Sequence, residues 1–366
     1  MPKNLSGAAR KTKQKKARVR AIGVITGGGD CPGLNAAIRA VVKRAEGDGV
    51  QVFGIYEGFK GLYEDQIRPL KPIDVAGIIS RGGTILGTSR YNPLKEDGGI
   101  GRIKKNLQRH RIDAIVNIGG EGTMRFSHEL HKLGVKVIGV PKTIDNDVWG
   151  TDFTFGFDTA VNIAMEAIDR LHTNAESHNR IMIVEVMGRH AGWIATYSGI
   201  AGGADAILIP EQPFRMSRLL EILDRRQKIG KRFSIIVVSE DAKLLLDVGQ
   251  DPPALLHTPV HRDEYGTLKL GGIAGLLEGE LRRTLSAEIR STVLGYIQRG
   301  GSPTAYDRVL ATRLGVAAVE LLLRGKSGRM VALQGHDITS VPLHQVAKKL
   351  KTVDPETYRI GEVFFD

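Results

Sequence analysis

The feature that most restricts this chain is an apolar run that stops at three consecutive glycines and restarts as a helix. Residues 21–26 read as a buried strand, and Gly27-Gly28-Gly29-Asp30 breaks it. Leu34, Ile38, Val41, Val42 and Ala45 then recur at helical spacing until Gly47 stops them, and residues 50–56 form a second strand run. This is a β-α-β unit, which commits its two strands to lie parallel.

The same alternation returns along the chain. A strand over 114–118 is followed by a helix to about Leu133 and a strand over 135–140. Further strand runs cover 181–186, 206–209 and 233–238, and long helices fit 216–228 and 304–323. An α/β protein with mostly parallel sheets follows. At 366 residues the chain exceeds what one core usually covers, so two domains are expected. Its 45 glycines are well above the roughly 7% average, and glycine is needed where a backbone turns tightly or approaches a ligand.

Three polar loops fall at strand ends, where open α/β sheets bind their ligands. In Thr26-Gly27-Gly28-Gly29-Asp30, successive glycines and a helix N-terminus suit phosphate oxygens, although a tight turn without ligand has the same pattern. In Gly119-Gly120-Glu121-Gly122-Thr123 a carboxylate stands inside a glycine loop. Beside phosphates it needs an intervening cation, so Glu121 reads as a magnesium ligand or, alternatively, as an acid at a helix start. In Pro141-Lys142-Thr143-Ile144-Asp145-Asn146-Asp147 two carboxylates two residues apart suit acid–base work, or else an Asx turn. Arg90, Arg180, Arg189, Arg290 and Arg299 lie in glycine- or strand-flanked segments. Their guanidinium forks match phosphate, or form surface ion pairs.

The single cysteine, Cys31, rules out an intrachain disulfide, and a cytoplasmic setting is expected. No apolar run approaches the ~18 residues of a membrane span, and no secretory-type apolar segment opens the chain. Eight of the net +12 charges fall in the first twenty residues, which contain no acid. Residues 1–18 read as a disordered basic tail, and nucleic-acid binding is not expected because no aromatic interleaving or binding motif accompanies the charge.

Six segments together resemble the phosphofructokinase family, from about Ile22 to about Gly328. They are TGGGDCPGLNAAIR (26–39), RGGTILGTSR (81–90), GGEGT (119–123), PKTIDND (141–147), VEVMGRHAGW (184–193) and LGYIQRGGSP (294–303). The resemblance implies two Rossmann-like three-layer domains with the active site in the cleft between them. The donor domain would take 19–156 plus about 299–348, and the sugar domain about 157–298 plus 349–366. The implied reaction is transfer of the γ-phosphoryl of ATP to the 1-hydroxyl of D-fructose 6-phosphate, with Mg2+, giving fructose 1,6-bisphosphate in glycolysis. Gly28, Arg90, Tyr91, Gly120, Gly122 and Thr123 match donor-holding positions, and Glu121 matches the metal ligand, usually aspartate. Asp145 matches the catalytic base, with Thr143 and Asp147 beside it. Met187, Gly188, Arg189 and Glu240 match sugar-binding positions, Arg189 also serving catalysis. Arg180, Arg290, Tyr296 and Arg299 match the sugar-phosphate cradle, Tyr296 replacing a common histidine.

The family contains ATP and pyrophosphate users. Gly122 leaves room for an α-phosphate and nucleoside, which resembles the ATP type, whereas Lys142 resembles the pyrophosphate type. Phe126 stands where a smaller residue is common near the adenine pocket. The resemblance further implies a homotetramer, or at least a homodimer, with Arg180 and Arg290 reaching across. At the family's effector pocket Arg39, Lys43 and Lys231 keep positive charge, but Pro72, Gly77, His172 and Ile229 replace polar contacts, so little response to ADP or phosphoenolpyruvate is expected. A lipid or NAD kinase would lack PKTIDND and LGYIQRGGSP, and a nicotinamide dehydrogenase would need a G-x-G-x-x-G that 27–33 does not supply. A non-catalytic nucleic-acid-binding protein would not be expected to carry both Asp145 and Glu121.

Overall fold

The structure, a computed structural model, describes residues 19–247, 254–256, 261–262, 268–269 and 271–365. The basic tail 1–18 lies outside the described residues. The first half runs β1 (Ala21–Gly27), α1 (Leu34–Glu46), β2 (Gln51–Ile55), α2 (Gly58–Glu64), β3 (Ile67–Pro69), α3 (Gly99–Arg109), β4 (Ala114–Gly119), α4 (Glu121–Lys132), β5 (Val137–Pro141) and α5 (Phe157–His178). There follow β6 (Ile181–Val186), α6 (Trp193–Ala201), β7 (Ala206–Leu208), β8 (Phe214–Arg215), α7 (Met216–Lys228), β9 (Ser234–Ser239), β10 (Leu244–Leu246), β11 (Ala254–Leu256), β12 (His261–Arg262) and β13 (Leu268–Lys269). The chain closes with α8 (Ile273–Thr284), β14 (Ile289–Val293), α9 (Ala305–Leu323), β15 (Arg329–Gln334), β16 (Asp337–Pro342), α10 (Leu343–Val346) and α11 (Pro355–Glu362).

Two principal sheets result. One has the order β16-β15-β5-β4-β1-β2-β3 and the other β14-β6-β9-β7. The smaller is parallel throughout, and the larger is parallel except at its outer pairs β2–β3 and β15–β16. β1, β4, β5, β6 and β9 are buried at every residue, as expected for strands covered on both faces. The helix α1 turns Leu34, Ile38, Val41, Val42 and Ala45 inward, as their spacing predicts, and packs on α9.

Element ends differ from the sequence reading for local reasons. The strand run expected from Val135 begins at Val137, because Val135 N–H instead bonds Leu130 O at the end of α4. Tyr56 leaves β2 because its N–H turns to Gln66 O. Ile209 pairs with Gln212 rather than extending β7. The strand expected over 233–238 is shifted by one residue. Thr304 does not begin α9 but caps it, its hydroxyl accepting from Asp307 N–H at 3.3 Å.

The register fixes where function can sit. Gly27 is paired with Gly119, and Gly119 with Pro141. The loops after β1, β4 and β5 therefore leave three adjacent strands at one level, on one edge of the large sheet. In the smaller sheet Val186 pairs with Ser239 and Val293 with Glu185, so the segments after β6, β9 and β14 also leave together.

Candidate active site

The strand-end loops of both sheets border one cleft of about 560 Å³, within the range for small-molecule sites. From the large sheet come Gly28, Asp30, Arg90, Tyr91, Gly120, Glu121, Gly122, Thr123, Lys142, Thr143, Asp145 and Asp147. Met187, Arg189, Glu240, Tyr296 and Arg299 face them from the other side.

The glycine loop is shaped by two constraints. Gly28 has φ 78°, a left-handed conformation open to glycine. At Gly27 a Cβ would come within 2.8 Å of Thr123 Oγ1, so the first two loops can approach only because a hydrogen stands there. Behind them, the buried Lys142 ammonium donates to Gly29 O. Burial pushes the Lys142 pKa down, opposed by the nearby Cys31, Asp145 and Asp30. Cys31 is sealed in the same place. Its thiol donates to Pro32 O at 3.3 Å and Phe155 O at 3.7 Å, and burial pushes it up to about 12.

The loop after β5 holds the carboxylates. Thr143 Oγ1 donates to Asp145 Oδ2 at 3.1 Å and accepts from Asp145 N–H at 3.1 Å. Asn146 sits at φ 51°, its Oδ1 accepting from Thr154 N–H at 3.1 Å, while Thr154 Oγ1 donates to Thr143 O at 2.7 Å. With Asn146 tied inward, Asp145 and Asp147 both border the cleft. Burial, reinforced by Asp145, raises Asp147 to about 7 against the pull of Arg189. Glu240 is also raised to about 7, chiefly by burial, with Asp145 adding to the shift.

The carboxyl oxygens Oδ1 of Asp145 and Asp147 are buried without a hydrogen-bond partner among the described residues. Glu121, in the first turn of α4, accepts from Arg125 and acts electrostatically on Asp147. No cluster of three or more His, Cys, Asp and Glu among the described residues could hold a metal alone. Such sparse carboxylate donors suit a divalent cation that keeps waters and shares itself between one or two carboxylates and substrate phosphates.

Of the five arginines, Arg90, Arg189 and Arg299 border the cleft. Arg180 and Arg290 do not: both pair with Glu288, at 2.8 and 2.7 Å. Gly188 lies just behind the lining, at φ 145°, its N–H directed to Glu240. Sequence reasoning passed over Phe59, Ser89 and Asn92, which also border the cleft. Ser89 stood next to a selected arginine, and Phe59 lies on α2, too short to announce itself by periodicity.

A sequence model of the family described as Phosphofructokinase matches residues 21–322. The chain belongs to the phosphofructokinase family. Among its relatives is a pyrophosphate--fructose 6-phosphate 1-phosphotransferase of Amycolatopsis methanolica, 51% identical over 94% of this chain and 99% of that one. Another is an ATP-dependent 6-phosphofructokinase of Spirochaeta thermophila, 48% identical over 93% of this chain and 95% of that one. The solved phosphofructokinase of Saccharomyces cerevisiae superposes with a TM-score of 0.78 at 32% identity, over 94% of this chain and 46% of the yeast chain. This phosphofructokinase thus spans slightly less than half of the yeast chain and has the family's two-domain α/β fold. No helix among its described residues is long and apolar enough to cross a membrane.

Proposed function

We propose that this phosphofructokinase transfers the γ-phosphoryl group of ATP to the 1-hydroxyl of D-fructose 6-phosphate. The observation that carries this reading is the register of β1, β4 and β5, which lines up two glycine loops beside the Asp145 loop and opposite Arg189. The donor phosphates lie along Gly28, Gly120, Gly122 and Thr123, flanked by Arg90 and Tyr91. The sugar lies against Met187, Gly188, Arg189 and Glu240. Its phosphate meets Tyr296 and Arg299, and Arg180 and Arg290 complete the cradle from a neighbouring subunit.

Asp145 takes the proton of the attacking hydroxyl. The Thr143 hydroxyl occupies its Oδ2, which leaves Oδ1 for the substrate. Asp147 keeps the loop acidic and orients the hydroxyl, and Arg189 meets the charge on the moving phosphoryl group. Glu121 would hold magnesium, which when bound would neutralise charge on the donor phosphates.

ATP is favoured because Gly122 has no side chain and the space where a Cβ would stand is open, which leaves room for an α-phosphate and nucleoside. Pyrophosphate is the second reading. Lys142 behind the glycine loop supports it, as does the Phe59–Phe126 pair, whose ring centroids lie 3.9 Å apart on the cleft wall. A coupled assay for fructose 1,6-bisphosphate with magnesium, offering ATP and pyrophosphate separately, decides. Turnover with pyrophosphate alone would overturn the ATP reading, and turnover with neither would overturn both.

Domains divide as 19–156 plus about 299–348 for the donor and about 157–298 plus 349–366 for the sugar. The assembly is a homotetramer or homodimer. Two features support it: Arg180 and Arg290 stand together away from their own cleft, and Tyr296 is 75% exposed although it borders the site. The setting is cytoplasmic, in keeping with a single thiol and a glycolytic substrate.

A further inference from the structure

The segment between α10 and α11 crosses the back of the catalytic loop. Leu350 forms an antiparallel bridge with Val148, and Lys351 N–H donates to Asp147 O at 2.9 Å. Two residues on, Val353 N–H donates to Glu211 Oε1 at 2.9 Å. The same Glu211 carboxylate accepts from Gly192 N–H, at 3.0 and 3.1 Å. Gly192 ends the loop that carries Arg189.

Lys351 is the hub of this crossing. Its carbonyl accepts from Trp193 Nε1 at 3.3 Å. Its ammonium donates to Asp152 O, 4.7 Å from the Trp193 ring centroid and 5.7 Å from that of Phe153. A cation against two aromatic faces and a carbonyl is held from several directions at once. One lysine therefore joins the carboxylate loop (Asp147), the segment after it (Asp152 and Phe153) and the sugar-side helix start (Trp193).

We infer that Lys351 and Glu211 are positioning residues: the strap 350–353 fixes the Asp145–Asp147 loop relative to the Arg189 loop across the cleft. Neither side chain borders the cleft, so they act through the backbone of Asp147 and Gly192. The strap also gives a loop rich in buried charge an anchor on its outer side. Asp147 carries an unpaired buried oxygen, yet its carbonyl is anchored from outside. Misplacement of about 1 Å at a reacting group can cost up to about a hundredfold in rate, so a device that sets this spacing should read out in turnover more than in binding.

The inference rests on the reading of Asp145–Asp147 as the acid–base loop, and the experiment separates the two. Initial rates of fructose 1,6-bisphosphate formation are measured for the full chain, Lys351→Met, Lys351→Arg, Glu211→Gln and the Lys351→Met/Glu211→Gln pair. Circular dichroism and thermal melts accompany each. Methionine keeps the stem length and the backbone bonds but removes the charge.

The expected result is a folded Lys351→Met protein with kcat lowered about tenfold and KM for fructose 6-phosphate within about threefold. Lys351→Arg restores at least about half of the lost rate, and the double variant loses less than the product of the single losses, because both act on one strap. If Lys351→Met does not fold, the same kcat-against-KM split in Glu211→Gln carries the test. An active parent with a folded Lys351→Met of unchanged kcat, or a loss that arginine does not restore, overturns the strap alone. A parent that forms no fructose 1,6-bisphosphate overturns the functional reading and the strap with it.

Discussion

The backbone N–H of Arg189 donates to Glu240 Oε1 at 2.9 Å, which ties the loop after β6 to the end of β9, and the Arg189 charge acts electrostatically on Asp147. Arg189 is held at φ 52°, so this bond secures a conformation that an arginine seldom adopts. Glu240 and Asp147 are both raised to about 7, each mainly by burial. Both carboxylates are ionised above that pH and take up protons below it. We predict that kcat/KM for fructose 6-phosphate falls as pH drops through about 7, with an acid limb steeper than one proton gives. In Asp147→Asn the remaining activity should show a single-proton limb. Initial-rate profiles check this, and a profile flat to about pH 5.5 would contradict it.

Asp145→Asn should retain fructose 6-phosphate binding and lose roughly 10²–10⁴ in kcat, the scale of general-base loss. The amide can still meet the Thr143 hydroxyl but cannot take a proton. Equilibrium binding and steady-state rates on the same preparation measure the two effects. Near-normal turnover would remove Asp145 from the mechanism.

Gly122→Asp should fold normally, because the new Cβ meets nothing within 4 Å and the position has no positive φ. Its carboxylate would enter the donor side of the cleft beside Glu121 and repel an α-phosphate. We expect kcat/KM for ATP to fall by about a hundredfold or more, equivalent to roughly 2.7 kcal/mol. Unchanged ATP kinetics would mean that Gly122 does not face the donor.

Regulation by anions should be weak. Arg39 and Lys43 border a second cavity of about 460 Å³, and the rest of its wall is Pro72, Ile73, Val75, Ala76 and Gly77. His172 is committed elsewhere, its Nε2 2.7 Å from Gly202 O, and Ile229 is exposed. Each missing charged hydrogen bond removes about 1.5–3 kcal/mol from a multiply charged effector. Rates at subsaturating fructose 6-phosphate should therefore change little with ADP or phosphoenolpyruvate. A large sigmoidal shift that vanishes in Arg39→Ala would show the opposite.

The strands that form the site were legible because β1, β4, β5, β6 and β9 are near-continuous apolar runs cut by glycine or polar loops. The helix α5 was not, although it is 22 residues long. After Phe157 and Thr159 at its start, its buried residues are Ala160, Ala164, Ile168 and Ala175, a pattern too faint to read as an apolar face. The edge strand β14, Ile289–Val293, alternates weakly and contains arginine, serine and threonine. The resemblance sends Arg180 and Arg290 across to a neighbouring subunit, but spacing alone cannot reveal that Glu288 holds both. Lys351 follows Lys348, Lys349 and Leu350 in a stretch with no motif to single it out. Its setting depends on aromatic rings at 153 and 193, which only the fold brings to it.

The enclosure of Cys31 behind the glycine loop gives the molecule a built-in chemical clock. A thiol held near pKa 12, with its sulfur against two carbonyls, reacts with an alkylating reagent only while that region is open. Since the same pocket holds the Lys142 ammonium under Gly29, labelling at Cys31 times the breathing of the donor loop without any turnover. A bound donor should slow that labelling, and bound sugar phosphate alone should leave it nearly unchanged.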